Sequence, residues 1–164
     1  MKKRLPTQFP SNPQVYLLGY KTEHSSYVDR ILSHPRHTHL AVQVGDWCYH
    51  ITTDATPDNS KAYWVSEEVS NRLWKKPLTK ILVGTTDKKW EDIVNFSLNW
   101  SSPLYLTLIT YFTFRLFRWK KDCVTYSRKY LEYLVGIKIK HPHSVTPDGF
   151  IKEILNCGYK NSMV

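Results

Sequence analysis

One cysteine and three histidines supply the residue types of a thiol nucleophile site. Cys123 follows Asp122 at the start of a helix-like stretch, and His37, His39 and His50 lie far upstream. The positive end of the helix dipole stabilises a thiolate in the first turn of a helix. A histidine beside that thiol can take its proton, and a second polar group can orient the histidine. The residue types therefore indicate nucleophilic chemistry at Cys123.

The histidines belong to the clearest hairpin signal in the chain. Residues 39–44 and 47–52 alternate in polarity around the turn dipeptide Gly45-Asp46. A two-residue turn pairs Gln43 with Cys48 and makes His39 and His50 diagonal neighbours. The predicted polar face of this hairpin consists of His37, His39, Ala41, Gln43, Cys48, His50 and Thr52. The other face is apolar or aromatic, so we expect helices to bury it and the polar face to stay open.

A Cys-His-His site results if the helix that begins at Cys123 packs its N-terminus over the polar face. His39 is then the general base, and His50 accepts a hydrogen bond from the other nitrogen of His39. The backbone amide of Cys123 supplies one oxyanion donor, and Asp122 caps the helix. His37 is equally suited as the base if the register differs. Candidate side-chain oxyanion donors are Tyr16, Tyr20 and Gln43.

Strands and helices can be assigned to much of the remaining chain from turn residues and apolar periodicity. The predicted strands are residues 15–20, 39–44, 47–52 and 78–83, with a polar loop at 53–62. The predicted helices are residues 25–32, 65–74, 86–98, 123–135 and 146–155. Residues 103–119 fit either a strand or a helix. The helix at 123–135 ends at Gly136, and Pro147 follows the capping residue of the last helix.

Length and composition indicate one globular domain. The chain has 164 residues, of which 41% are hydrophobic and 23% charged, which suits a single core. We expect residues 1–14, which are rich in proline, to form an irregular arm and residues 15–164 to form the domain. The formal net charge of +9 favours an acidic substrate, a polyanion or an anionic membrane face as partner.

We expect neither a signal peptide nor a membrane anchor from the sequence. Three cysteines do not make a disulfide framework, so we expect a reducing, cytoplasmic location. The most apolar run, residues 104–117, is interrupted by Arg115 and followed by Arg118. It is too short to span a bilayer.

Three short motifs resemble the circularly permuted papain-like superfamily, which includes permuted NlpC-type peptidases and lecithin–retinol acyltransferase-like enzymes. They are His39-Leu40-Ala41-Val42, Cys48-Tyr49-His50 and Asp122-Cys123-Val124, within residues 15–155. The spacing of the two histidines is similar to that of the acyltransferase branch, where the third catalytic group is also a histidine. The resemblance implies an α+β fold with an antiparallel sheet in permuted papain-like order. It also implies thiol-dependent hydrolysis or acyl transfer on an amide, peptide or ester, without a cofactor.

Three other interpretations remain open. His37, His39, Cys48 and His50 on one hairpin face are suitable zinc ligands. The positive charge together with exposed aromatic residues such as Trp90, Trp100 and Trp119 would suit nucleic-acid binding, although no motif supports it. The third interpretation is a papain-like domain that binds a partner and catalyses no reaction. The sequence does not define an oligomeric state.

Overall fold

The fold is α+β, as predicted, and its centre is one antiparallel sheet. The computed structural model describes residues 10–21, 36–53, 60–98, 123–138 and 146–162. The strands are β1 (Gln14–Tyr20), β2 (His39–Val44), β3 (Trp47–Thr53), β4 (Ser60–Ser66) and β5 (Thr79–Thr85), in the spatial order β4-β3-β2-β1-β5. The helices of the described residues are α1 (Glu67–Trp74), α2 (Trp90–Leu98), α3 (Cys123–Val135) and α4 (Pro147–Asn156).

The predicted hairpin register is confirmed from the turn to the middle of the strands. Val44 pairs with Trp47, and Ala41 pairs with His50. Gly45 begins the turn with a φ of 55°, a backbone conformation that glycine adopts without steric cost. The pairing fixes which side chains of β2 and β3 share a face.

Two helices follow their sequence signals closely. The helix predicted at 123–135 is α3, and Gly136 ends it with a φ of 68°. In α4, the hydroxyl of Thr146 accepts a hydrogen bond from the backbone N–H of Gly149, and Pro147 occupies the first turn. Local capping chemistry is sufficient to set these boundaries.

Other boundaries differ from the prediction. Strand β4 begins at Ser60, within the stretch predicted as a polar loop, because an edge strand can pair through its backbone alone. Helix α1 begins at Glu67 instead of residue 65, since Ser66 caps it by accepting a hydrogen bond from the N–H of Val69. Helix α2 begins at Trp90, later than predicted. The stretches 25–32 and 103–119 lie outside the described residues.

Helices α3 and α4 cover the apolar face of the sheet. The resulting cluster, here called the apolar-face core, includes Leu40, Val42 and Val44 of β2. Its helical members include Val124, Tyr126, Tyr130, Leu131, Leu134, Phe150, Ile151 and Ile154. Within the parts of the chain that the structure describes, none of the helices has the length and apolar character needed to cross a bilayer.

Helix α1 covers the other face of the sheet. The expectation of an open polar face is wrong, because His39, Gln43, Cys48 and His50 are all buried. Ser70 of α1 is also buried, and Trp74 stacks on the histidine rings. The sheet therefore has two covered faces, and the histidines lie under a helix.

Candidate functional site

Four side chains form a hydrogen-bonded chain beneath α1, here called the histidine network. The Nε2 atom of His39 lies 3.2 Å from Nδ1 of His50, and Nε2 of His50 lies 2.8 Å from Oγ of Ser70. The Tyr20 hydroxyl lies 3.1 Å from the same Ser70 oxygen. Strands β1, β2 and β3 and helix α1 each contribute one member. The predicted neighbourhood of His39 and His50 is therefore confirmed.

The indole of Trp74 forms the roof of the histidine network. Its centroid lies 4.8 Å from that of the His39 ring and 5.4 Å from that of the His50 ring, nearly parallel to both. Ser70 and Trp74 are four residues apart, which puts both on the same side of α1. One helical face thus supplies a hydrogen-bond partner and an aromatic cover, and together they remove the imidazoles from water.

Burial keeps both imidazoles neutral near pH 7. It lowers the pKa of His39 from 6.5 to about 4. Burial lowers the pKa of His50 well below 6.5 as well, and repulsion from His39 adds to that effect. A neutral imidazole has one nitrogen that can accept a proton, so the pair has the protonation state of a base.

The direction of hydrogen bonding decides which nitrogen of His39 is the acceptor. If His50 donates from Nδ1, then Nε2 of His39 accepts and Nδ1 of His39 carries the hydrogen. If His39 donates from Nε2, then Nδ1 of His39 accepts a proton and Nε2 of His50 donates to Ser70. Burial raises the pKa of Tyr20, so Tyr20 keeps a hydrogen to donate. Only the second orientation makes His39 a base through Nδ1.

Acid should destabilise the protein through these histidines. The unfolded chain binds a proton near pH 6.5, whereas folded His39 resists protonation down to about pH 4. The stability that depends on neutral His39 is therefore fully present above pH 6.5, and it is lost as the pH falls from 6.5 to about 4. It amounts to about 3 kcal/mol for His39, and His50 adds to it. Urea unfolding at pH 5 to 6.5 should show this slope, and His39→Gln should flatten it. An unchanged slope in His39→Gln would contradict the assignment.

His37 lies on the opposite side of the sheet from His39, contrary to the prediction. A Cβ atom built on Gly19 would lie 2.6 Å from Cδ2 of His37 and 2.7 Å from Cδ1 of Ile151, and Ile151 belongs to the apolar-face core. The physical reason is that His37 precedes β2, so the alternation of the strand does not extend to it.

Both ring nitrogens of His37 are held by hydrogen bonds. Its Nδ1 lies 2.6 Å from Oδ1 of Asp148, and its Nε2 lies 2.8 Å from Oγ1 of Thr79. Asp148 also accepts hydrogen bonds from the backbone N–H groups of Arg36 and His37. The first turn of α4 therefore fixes the segment that leads into β2.

Cys123 lies on the α3 side of the sheet and packs against the apolar-face core. His39 and His50 belong to the other side, so the predicted packing of the α3 N-terminus over the histidine face is wrong. The physical reason is the apolar stripe of α3, which buries Val124 and Leu131 against the apolar face. The structure brings the two histidines together and does not bring Cys123 to them.

The N-terminus of α3 nevertheless points towards the end of the sheet where β2 begins. Val135, at the far end of α3, lies beside Gly84 at the hairpin end of the sheet. Tyr130 stacks on Tyr49 at a centroid distance of 4.9 Å, in the middle of the sheet. Cys123 is seven residues before Tyr130, which corresponds to about 10 Å along the axis. Cys123 therefore lies farther than Tyr130 from the end of α3 that contacts Gly84.

The three thiols have different environments. Cys48 is fully buried, and burial raises the pKa of its thiol to about 12, so it is inert at neutral pH. Cys157 is exposed at the C-terminal end of α4. Cys123 is half-buried in the first turn of α3. Its position combines solvent access with the favourable end of a helix dipole.

The side chains considered as oxyanion donors have other partners. Gln43 donates from Nε2 to the carbonyl oxygen of Gly45 at 2.8 Å and to Oε2 of Glu67 at 3.0 Å. The hydroxyl of Tyr16 donates to Gln14, and that of Tyr20 belongs to the histidine network. These contacts leave the backbone amide of Cys123 as the donor to be considered.

The zinc interpretation does not fit the described residues. His37 is separated from the other three suggested ligands by the sheet, and the described residues contain no group of three or more histidine, cysteine, aspartate or glutamate side chains placed to hold a metal ion.

Trp90 is one of the three tryptophans considered for nucleic-acid binding. It packs against Trp64 at a centroid distance of 4.9 Å, in an aromatic cluster. Its ring is therefore engaged within the protein, whereas Trp100 and Trp119 lie outside the described residues.

Comparison with known proteins identifies no relative. No protein family matches the chain, and neither a curated protein nor a solved structure does. Membership of the papain-like superfamily therefore stays a prediction, based on the residues around His39, Cys48 and Cys123.

Proposed function

We propose that the protein is a cysteine-dependent hydrolase or acyltransferase that acts on an amide, peptide or ester through Cys123. The observation that carries the proposal is the position of this thiol, half-buried, in the first turn of a thirteen-residue helix. The dipole of α3 favours the thiolate, which is the nucleophilic form. Of the three cysteines, Cys48 is buried and Cys157 lies at the C-terminal end of a helix.

His39 is the proposed base, with His50 as its orienting partner. The hydrogen bond between the two rings supports this role, because it orients His39. The lowered pKa of His39 keeps the ring unprotonated at neutral pH and also makes it a weak base. Catalysis by this pair requires that the thiol of Cys123 reaches the His39 ring at the strand end, since the two side chains lie on different faces of the sheet.

His37 is the alternative base. It is on the α3 side of the sheet, and Asp148 orients it through Nδ1 as the carboxylate orients the histidine of a catalytic triad. Its Nε2 faces Thr79, so this role requires that the thiol takes the place of the threonine hydroxyl. Arg128 of α3 pairs with Glu153 of α4 at 3.3 Å, which holds the two helices against each other.

The reaction has two steps in either case. The histidine removes the proton of the Cys123 thiol, and the thiolate attacks the substrate carbonyl carbon. The backbone N–H of Cys123 stabilises the oxyanion, and the histidine protonates the leaving amine or alcohol. Water or another acceptor then attacks the thioester and releases the acyl group. The formal net charge of +9 would favour an acidic substrate.

Matched histidine variants distinguish the two bases. If His39 is the base, His39→Gln should reduce the hydrolysis of a p-nitrophenyl ester by about 100-fold or more, and His37→Gln should reduce it much less. A larger loss of rate in His37→Gln than in His39→Gln would assign the role of base to His37, with Asp148 as its orienting partner. Peptide mapping by mass spectrometry should locate the acyl group on Cys123 in the wild-type protein. An acyl group on lysines alone would contradict the proposed function.

A further inference from the structure

A basic, apolar corner lies where α1 ends and the chain turns towards β5. The corner, residues 72–78, carries two exposed leucines, Leu73 at 58% and Leu78 at 43% exposure. Arg72, Lys75 and Lys76 are exposed around them. Two exposed leucines and three exposed cations share this short segment, and neither the core nor the proposed thiol site uses them.

The backbone changes direction at this corner. Lys75 ends α1 with a φ of 63° and a ψ of −178°, a backbone conformation that is strained for a residue with a side chain. Leu78 then rejoins the sheet, where its N–H donates to the carbonyl oxygen of Gly19. Leu73 and Leu78 thus flank, along the chain, a turn that contains Lys75 and Lys76.

The acidic groups of α1 lie at its other end. Glu67 is engaged by Gln43 and by Lys80 at 3.0 Å, and Glu68 is in the first turn. The helix therefore has an acidic beginning and a basic, apolar end. An anionic surface would meet three cations at the corner, and the two leucines could enter an apolar layer behind that surface.

We propose that residues 72–78 dock on an anionic lipid bilayer. The acidic headgroups would attract the cations of the corner, and the two leucines would insert between the headgroups. A bilayer offers both an anionic surface for the cations and an apolar layer for the leucines, whereas a nucleic acid offers only the anionic surface. Trp74 lies within the corner and covers the histidine network, so the bilayer would lie on the side of the sheet opposite Cys123.

Vesicle co-sedimentation of the full chain tests this proposal. The protein should sediment with phosphatidylcholine vesicles that contain 30% phosphatidylserine, in about 0.1 M salt, and not with pure phosphatidylcholine vesicles. Lys75→Gln with Lys76→Gln should weaken binding about fivefold for each lysine. Leu73→Ser with Leu78→Ser should weaken it at every salt concentration, since the lost contact is apolar. Each substitution is at an exposed side chain, and circular dichroism checks the fold.

Helix α4 provides the matched control on the other side of the sheet. Leu155 is 39% exposed there, with Lys152 also exposed, so Leu155→Ser with Lys152→Gln should leave binding unchanged. Equal losses in both sets of variants would overturn the proposal, as would failure to bind acidic vesicles. Binding of an oligonucleotide that depends on the lysines, without lipid binding, would assign the corner to nucleic acid instead. Cys123→Ala should bind vesicles normally, so this result is independent of the proposed catalysis.

Discussion

Replacement of Cys123 by alanine should abolish the hydrolysis of an activated ester, with a loss of roughly 10³-fold or more. The thiol is the only group in the proposed mechanism that forms a covalent bond with the substrate, so no other residue can substitute for it. The fold should be retained, because Cys123 is half-buried at the start of α3 and alanine favours a helix. Steady-state rates with the ester and the urea midpoint measure the two effects separately.

Cys157→Ala is the control, since Cys157 is an exposed thiol near a helix end. It should keep the wild-type rate. If Cys123→Ala and Cys157→Ala hydrolyse the ester equally fast, the thiol mechanism is excluded. If the rate falls in Cys123→Ala together with the urea midpoint, the loss belongs to the fold. Cys123→Ser then provides the second measurement, because it keeps the volume and lacks the nucleophilic thiolate.

The largest loss of stability is expected for His50→Ala. The side chain is fully buried, and its ring contacts Ser70, His39 and Trp74. The substitution leaves a cavity and removes the partner of a buried hydroxyl, so the free energy of unfolding should fall by about 3 kcal/mol. Turnover measured in this variant therefore reports on folding as well as catalysis.

A double-mutant cycle with Ser70→Ala separates the network from simple loss of volume. Ser70→Ala should cost less in the His50→Ala background than in the wild-type protein, because the hydrogen bond between them is already gone. Leu73→Ala, at an exposed position of the same helix, should change the stability by less than about 0.5 kcal/mol. Additive losses at Ser70 and His50 would show that the two side chains are not coupled.

Local signals were sufficient for the hairpin and for two helices. The Gly45-Asp46 turn sets the register between β2 and β3, and capping residues set the ends of α3 and α4. Strand β4 was missed because its first residues are polar and it lies at the sheet edge, where backbone pairing does not need an apolar pattern.

The covering of the histidines depends on tertiary packing, which periodicity within β2 and β3 does not reveal. One signal was nevertheless available in the sequence: Ser70 and Trp74, four residues apart, form a polar and aromatic face on α1 that needs a buried partner. The apolar stripe of α3 was a second signal. It matches the apolar face of the sheet, so it predicts the side on which Cys123 is found.

His37 shows the limit of strand alternation. The pattern His37-Thr38-His39 looks continuous, but β2 begins at His39, and the preceding backbone is held by Asp148. Asp148 is 111 residues from His37 in the sequence. A contact over such a separation is not predictable from local residue types.

The reactivity of the three cysteines with iodoacetamide tests the central claim most directly. The rates are measured between pH 6 and pH 9, and each modified cysteine is located by mass spectrometry. Cys123 should react first and faster than Cys157 at each pH, whereas Cys48 should stay unmodified in the folded protein. If Cys123 reacts no faster than Cys157 across this range, its thiol is not activated and the proposed function is contradicted.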